Sequence, residues 1–281
     1  METRPDEMDR LDEPLTAADI MAREIEQALS ELRRPLRGLA LSGLSAGLDV
    51  SFGVILMATA LTRLAGIVPE GALDLLVGNL YAIGFIFVVL GRSELFTEHT
   101  ALAVFPVLAH KATLGELGRL WTVVWATNLA GAAVFAAIAA LLGPALGFAS
   151  VDAYETLALH LVEPGWLLIF GSAVLAGWLM GLLSWLVTAS RDTIGRLAIV
   201  WLVTSAIGML GLHHCIVGTA EVLTAVFAGN AVTWADYGHF IVWSTLGNAI
   251  GGTVFVALIK FSHVSSPGPE TDGEGDPEPK T

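Results

Sequence analysis

Long apolar runs alternate with short polar gaps along this chain, and the length of the runs constrains the fold first. Six of them are long enough to cross a bilayer as helices: 38–64, 76–112, 119–143, 166–189, 196–229 and 239–263. Ahead of them, residues 15–34 (LTAADIMAREIEQALSELRR) place Leu15, Ile20, Ile25, Leu29 and Leu32 near helical spacing, with acids and arginines between. That spacing predicts an amphipathic helix packed on the membrane domain or on a neighbouring subunit. The chain then divides into an N-terminal helical segment over 1–36, a membrane domain over 37–264 and an acidic, Pro/Gly-rich tail over 265–281 that is expected to be disordered.

Two runs, 76–112 and 196–229, are too long for one helix, and polar residues interrupt both. Arg92, Ser93, Glu94, Thr97, Glu98 and His99 fall in the first, and His213, His214, Thr219 and Glu221 in the second. Backbone that breaks at membrane depth must be shielded from lipid or line a cavity. One break lies in the second of the first three spans and the other in the second of the last three. This is the pattern of an inverted repeat with discontinuous helices around a central site. The predicted class is an all-α membrane protein of six transmembrane helices with the second and fifth broken.

Composition agrees. The 281 residues are 54% hydrophobic and 15% charged, against about a quarter charged in a soluble domain. Lys and Arg crowd on one side of the spans: with the N-terminus inside, Arg63 alone falls in an outer loop, so both termini are expected on the cytoplasmic side of the inner membrane. The outer loops carry Glu70, Asp74, Asp152, Glu155, Glu163 and Asp236. A net charge of −13 argues against a nucleic-acid partner. The lone Cys215 excludes a disulfide scaffold and any cysteine-rich metal site. Residues 1–34 are charged throughout, so no cleavable signal peptide is expected.

An ionisable side chain in the bilayer costs several kcal/mol unless paired or hydrated, so each one is a functional candidate. The candidates are Asp49, Arg92, Glu94, His99, His213, His214 and Glu221. Arg92 stays charged, and its expected role is to pair with Glu94, Asp49 or Glu221 and brace the breaks. A histidine at a break can relay protons, although buried neutral histidines that only bind a carbonyl are common. A metal held by His213, His214 and Cys215 is disfavoured, because consecutive helical residues diverge by about 100°. No nucleotide loop, GxSxG elbow or metal cluster is present, so no cofactor and no enzyme activity are expected.

At the two breaks the sequence resembles the formate/nitrite transporter family of pentameric membrane channels. The residues are Ser93-Glu94-Leu95-Phe96-Thr97 within GRSELFTEHT, and LHHCI over 212–216, where the family's central pore histidine falls on His214. AVLAGWLMGLLSW (173–185) is similar to the fourth-helix signature at Ala173, Ala176, Leu182 and Trp185, and LGNAIGGTVFV (246–256) to the sixth helix. The resemblance covers about residues 37–264 and implies an aquaporin-like fold, a pore through each protomer and a homopentamer in the lipid bilayer. It implies constrictions from Tyr81, Phe85, Leu95 and Ile207, and a hydrogen bond from Thr97 to His214 between them. A permeant weak acid would cross such a dry passage neutral, after taking a proton.

The chain departs from that pattern at Arg92, where the family has Gly, and at Glu98, where it has a small residue. His213 stands for Glu and Gly177 for Asn. Anion-carrying members place a Lys in the outer vestibule before the fourth helix. Here no Lys or Arg lies between Arg119 and Arg191, and the window holds Leu161, Val162 and Glu163. A carboxylate there tips the entrance toward monovalent cations such as ammonium. The alternatives are proton-linked passage of formate-like or nitrite-like anions with His214 as relay, and a non-conducting scaffold.

Overall fold

The computed structural model describes residues 14–229 and 231–266; the acidic tail lies outside them from residue 267 on. Among the described residues the secondary structure is entirely helical. Helix α1 (Ala17–Leu32) starts at Thr16, whose hydroxyl accepts from Asp19 N–H while the Asp19 carboxylate binds back to the Thr16 backbone. That reciprocal cap satisfies two of the orphan donors of a helix start. Ile20, Ile25, Ala28 and Leu32 are buried along one face, and so are Glu24 and Glu31. The Arg119 guanidinium holds the end of α1 by donating to the Leu32 carbonyl.

The first span is two helices, α2 (Leu36–Val50) and α3 (Phe52–Leu64), joined at Ser51. The sequence reads as a single helix here. Ser51 Oγ donates to the Gly47 carbonyl one turn back, at 2.7 Å, a bond that competes with the helical ladder and bends it. Then follow α4 (Glu70–Gly91), the first break, the short helices α5 (Phe96–Leu102) and α6 (Phe105–Leu108), and α7 (Leu114–Leu146). The second half runs α9 (Trp166–Ala189), α10 (Thr193–Met209), the second break, α11 (Cys215–Ala228) and α12 (Trp234–Gly252). Its last span continues through a π-turn (Thr253–Leu258) into α13 (Ile259–Ser265). Among the described residues, five helical stretches are long and apolar enough to cross a membrane, and α10 and α11 are two shorter apolar helices.

Between the halves lies α8 (Val151–Val162), a helix where the sequence suggests only an outer loop. Ser150 caps it, accepting from Ala153 N–H at 3.2 Å, and Ala153, Tyr154, Ala158 and Leu161 bury one side. A twelve-residue stretch carrying Asp152, Glu155 and His160 is too short and too polar to stand out beside the spans.

The two halves pack by the same rule. A Cβ on Gly47 would meet the Asn128 carbonyl oxygen, and one on Gly177 would meet that of Asn248. Without side chains at these two positions, α2 lies directly on α7 and α9 directly on α12. Small residues are what allow helices to approach so closely in a membrane, where hydrophobic burial supplies no drive between them.

Candidate functional site

Each break is held by four side-chain-to-backbone hydrogen bonds, and the two sets correspond. In the first, Glu94 N–H donates to Ser42 Oγ at 3.1 Å and Phe96 N–H to Asn128 Oδ1 at 2.8 Å; Asn128 Nδ2 donates to the carbonyls of Glu94 at 2.9 Å and Gly43 at 2.7 Å. In the second, His213 N–H donates to Ser172 Oγ at 3.1 Å and Cys215 N–H to Asn248 Oδ1 at 2.8 Å; Asn248 Nδ2 donates to His213 O at 2.9 Å and Ala173 O at 2.8 Å. Both asparagines are fully buried. Broken backbone in an apolar setting needs a partner for every freed N–H and C=O, and a primary amide offers both a donor and an acceptor.

The breaks bring Thr97 and His214 together: Thr97 Oγ1 lies 2.8 Å from His214 Nε2, and neither residue reaches solvent. His214 also caps α11, its Nδ1 accepting from Val217 N–H at 3.3 Å. With Nδ1 an acceptor, the neutral ring carries its proton on Nε2 and donates it to Thr97. The Phe85 ring stands edge-on to His214, centroids 5.1 Å apart, and Tyr81 packs on Phe85 at 5.3 Å. Leu95 occupies the N-cap position of α5 and Ile207 lies near the end of α10; both are fully buried. The Tyr81 hydroxyl is buried without a hydrogen-bond partner. The N-termini of α5 and α11 both open onto the Thr97–His214 pair.

The remaining ionisable residues are arranged differently from the expected brace. Arg92 pairs with none of the three acids: it is exposed and caps α4 in the left-handed conformation, φ 57°. The Glu94 carboxylate is taken by Arg34, from the linker after α1, at 2.6 Å and by His99 Nε2 at 2.6 Å. Asp49 accepts from Ser45 on its own helix at 2.9 Å and so bridges nothing. Glu221 is buried on α11, and no ion pair reaches it among the described residues. His213 is held by Ser172 Oγ at 2.9 Å and the Leu161 carbonyl at 3.2 Å. Glu163 is exposed at the end of α8, beside His160, whose ring stacks on that of His213 at 6.3 Å.

On the face carrying α1, a cavity of about 640 Å³ is lined by Arg23, Glu31, Arg34, Glu94, Glu98 and Arg196, among others. Glu24 is completely buried next to it, accepting from Thr188 Oγ1 at 2.6 Å and Ser184 Oγ at 3.1 Å. Removal from water pushes the Glu24 carboxyl up to about 7 against the pull of those hydroxyls, and the same cause raises Glu31. Sequence reasoning missed Ser42, Asn128, Ser172, Glu31, Arg34 and His160. The one readable signal was spacing: each asparagine follows the residue it pins by 32 or 33 positions.

Two half-helices meeting inside an inverted repeat, with a buried polar pair walled by aromatic and aliphatic side chains, define a transmembrane channel or transporter. The family model described as formate/nitrite transporter matches residues 18–262, and the chain belongs to that family. It is 30% identical over 239 residues to the inner membrane protein YfdC of Escherichia coli K12, an alignment covering 83% of this chain and 74% of that one. Among solved structures it is similar to an FNT family ion channel, with a TM-score of 0.79 and 24% identity over 89% of this chain and all of the other. A pentameric formate channel with formate bound superposes with a TM-score of 0.70 and 23% identity, covering 82% of this chain and 97% of that one. These likenesses show the fold, which is aquaporin-like.

Proposed function

We propose that the chain forms a homopentamer in the inner membrane, with a pore in each protomer that passes formate-like or nitrite-like small monovalent anions together with a proton. Helix α1 and both termini lie on the cytoplasmic side. The observation that carries this reading is the convergence of helix N-termini on the Thr97–His214 pair. The α11 N-terminus puts positive partial charge at the centre of the passage, and the shorter α5 adds to it. His214 donates to Thr97, which leaves the Thr97 hydroxyl proton to face a solute oxygen. Such a centre attracts an anion and repels a cation. The walls formed by Tyr81, Phe85, Leu95 and Ile207 exclude a hydrated ion, so the anion crosses as the neutral acid.

This ordering reverses the weight that the sequence alone put on cations. Glu163 is the reason for that weight, and its exposed position at the C-cap of α8 supports a role at an entrance rather than in the walled passage. The cation reading keeps one specific support: Asp152 and Glu155 on α8 and Glu163 at its C-cap give this segment an excess of carboxylates, which would concentrate monovalent cations such as ammonium. Flux into proteoliposomes of the purified protein separates the two. Uptake of formate and nitrite without methylammonium supports the anion reading, and the opposite pattern overturns it.

A further inference from the structure

His99 sits on α5, two residues after Thr97, and both of its ring nitrogens face carboxylates. Nε2 lies 2.6 Å from Glu94 Oε2, a short bond, and Glu94 is held in turn by Arg34 through its other oxygen at 2.6 Å. Nδ1 lies 3.2 Å from Glu31 Oε2, within ion-pair distance, yet neither atom makes a hydrogen bond, and both are sealed from solvent. The Nδ1 proton or lone pair therefore points beside Glu31 rather than at it. The other Glu31 oxygen is occupied, accepting from Gln27 Nε2 at 3.0 Å. His99 is 2% exposed and Glu31 8%, so two polar atoms stand side by side in a buried setting, where an unsatisfied polar group is costly.

A separation of 3.2 Å is what two ligands show when they share one ion. With bonds of about 2.0–2.1 Å and tetrahedral angles, adjacent N and O ligands stand about 3.3 Å apart. The rest of the arrangement matches. A metal-bound imidazole donates its other N–H to a carboxylate, which fixes the tautomer and turns the ring, and Glu94 holds His99 Nε2 in that way. One donor atom each from Glu31, Glu94 and His99 lies within 4.8 Å of the others. Glu98 lines the adjoining cavity, which provides an entry path and room for water ligands.

We propose that His99 Nδ1 and Glu31 Oε2 are ligands of a divalent transition-metal ion of the zinc or manganese class, which fastens α1 to the first break. One imidazole and one carboxylate completed by water suit a borderline cation rather than Ca²⁺ or Cu(I). The ion joins two elements 68 residues apart in the chain, α1 and the helix that carries Thr97. Its binding holds α1 over the mouth of the passage.

The test begins with Zn²⁺ titrated by calorimetry into metal-stripped protein in detergent, with Co²⁺ absorption as the second probe. Wild type, Glu31→Gln and His99→Gln are compared after size exclusion and circular dichroism show the same assembly and helicity. Glu31→Gln retains an oxygen for the Gln27 amide and is the milder change. Wild type is expected to bind one ion per chain, at least tenfold more tightly than either variant. No stoichiometric binding, or binding that survives both substitutions, overturns the proposal; the cluster is then a doubly protonated His99 between two carboxylates. The second arm is uptake of whichever solute the protein conducts: Zn²⁺ on the α1 side slows it in wild type and leaves Glu31→Gln unaffected. Equal slowing in both overturns the gating consequence. The binding arm needs no flux, so its failure and the failure of the transport reading are distinguishable.

Discussion

Asn128 and Asn248, 120 positions apart in the chain, do the same work on the two breaks: each side-chain oxygen accepts the N–H of a first helical residue, and each side-chain amide closes two carbonyls. The resemblance extends to Ser42 and Ser172, and to Gly47 and Gly177 at the crossings underneath. The inverted repeat is thus a repeated solution to one problem, the satisfaction of broken backbone in lipid.

Replacing either asparagine by Leu leaves one buried N–H and one buried carbonyl of the break, that of Glu94 or of His213, without the side-chain partner that now holds them. Each substitution is expected to destabilise the folded protein by about 2–4 kcal/mol, seen as a lowered midpoint of thermal unfolding in detergent, and by similar amounts at the two sites. A loss at one site alone would show that the breaks are not held in the same way.

Thr97→Val keeps the shape of the side chain and removes the hydroxyl from the fully buried pair with His214. Formate uptake is expected to fall at least tenfold while the assembly persists, with a loss of about 1–3 kcal/mol in stability because the buried His214 Nε2–H is left without an acceptor. Unchanged uptake would remove Thr97 from the permeation path.

Docking of α1 is expected to weaken as pH rises. Burial holds the Glu24 carboxyl at about 7, against an ordinary 4.5. Below 4.5 the group is neutral whether α1 is docked or free, and docking carries no ionisation cost. Between 4.5 and about 7 the free helix ionises first, and the stability of docking drains away, by on the order of 3 kcal/mol in full. Proteolysis near residues 17–32 should therefore accelerate from pH 5 to pH 8 in wild type and less so in Glu24→Gln. An equal acceleration in both would assign the effect to another group.

Glu163→Lys exchanges the charge at the end of α8, at an exposed position where folding is insensitive to it. With anions as the cargo, formate uptake at low ionic strength should rise severalfold, and salt should abolish the gain. A methylammonium flux in wild type that this substitution abolishes would support the cation reading instead.

Much of the architecture was legible in the chain. Six apolar runs with polar interruptions in the second and fifth indicated the spans and the paired breaks, because bilayer thickness fixes run length and polar residues at depth need a reason. The Thr97–His214 contact followed from the family resemblance, since no local spacing relates residues 117 apart. The pairing of Glu94 did not follow. Arg92 was its near neighbour in sequence, but the chain turns left-handed there and carries the Arg92 side chain out to solvent, while Arg34 arrives from the linker after α1. Glu24 and Glu31 read as the solvated side of an amphipathic helix, and only the docked α1 shows that they face inward. Helix α8 escaped notice because a short amphipathic stretch is faint beside long apolar spans.

The central claim, that a weak acid crosses with a proton at a His214–Thr97 centre, is tested most directly by counting protons. Proteoliposomes loaded with a pH-sensitive dye are given labelled formate, and solute uptake and internal acidification are followed together, with the membrane potential clamped at several values. The account predicts one proton taken up per formate and a rate indifferent to potential. Formate entry without protons and steered by potential, or methylammonium flux with no formate flux, would contradict it.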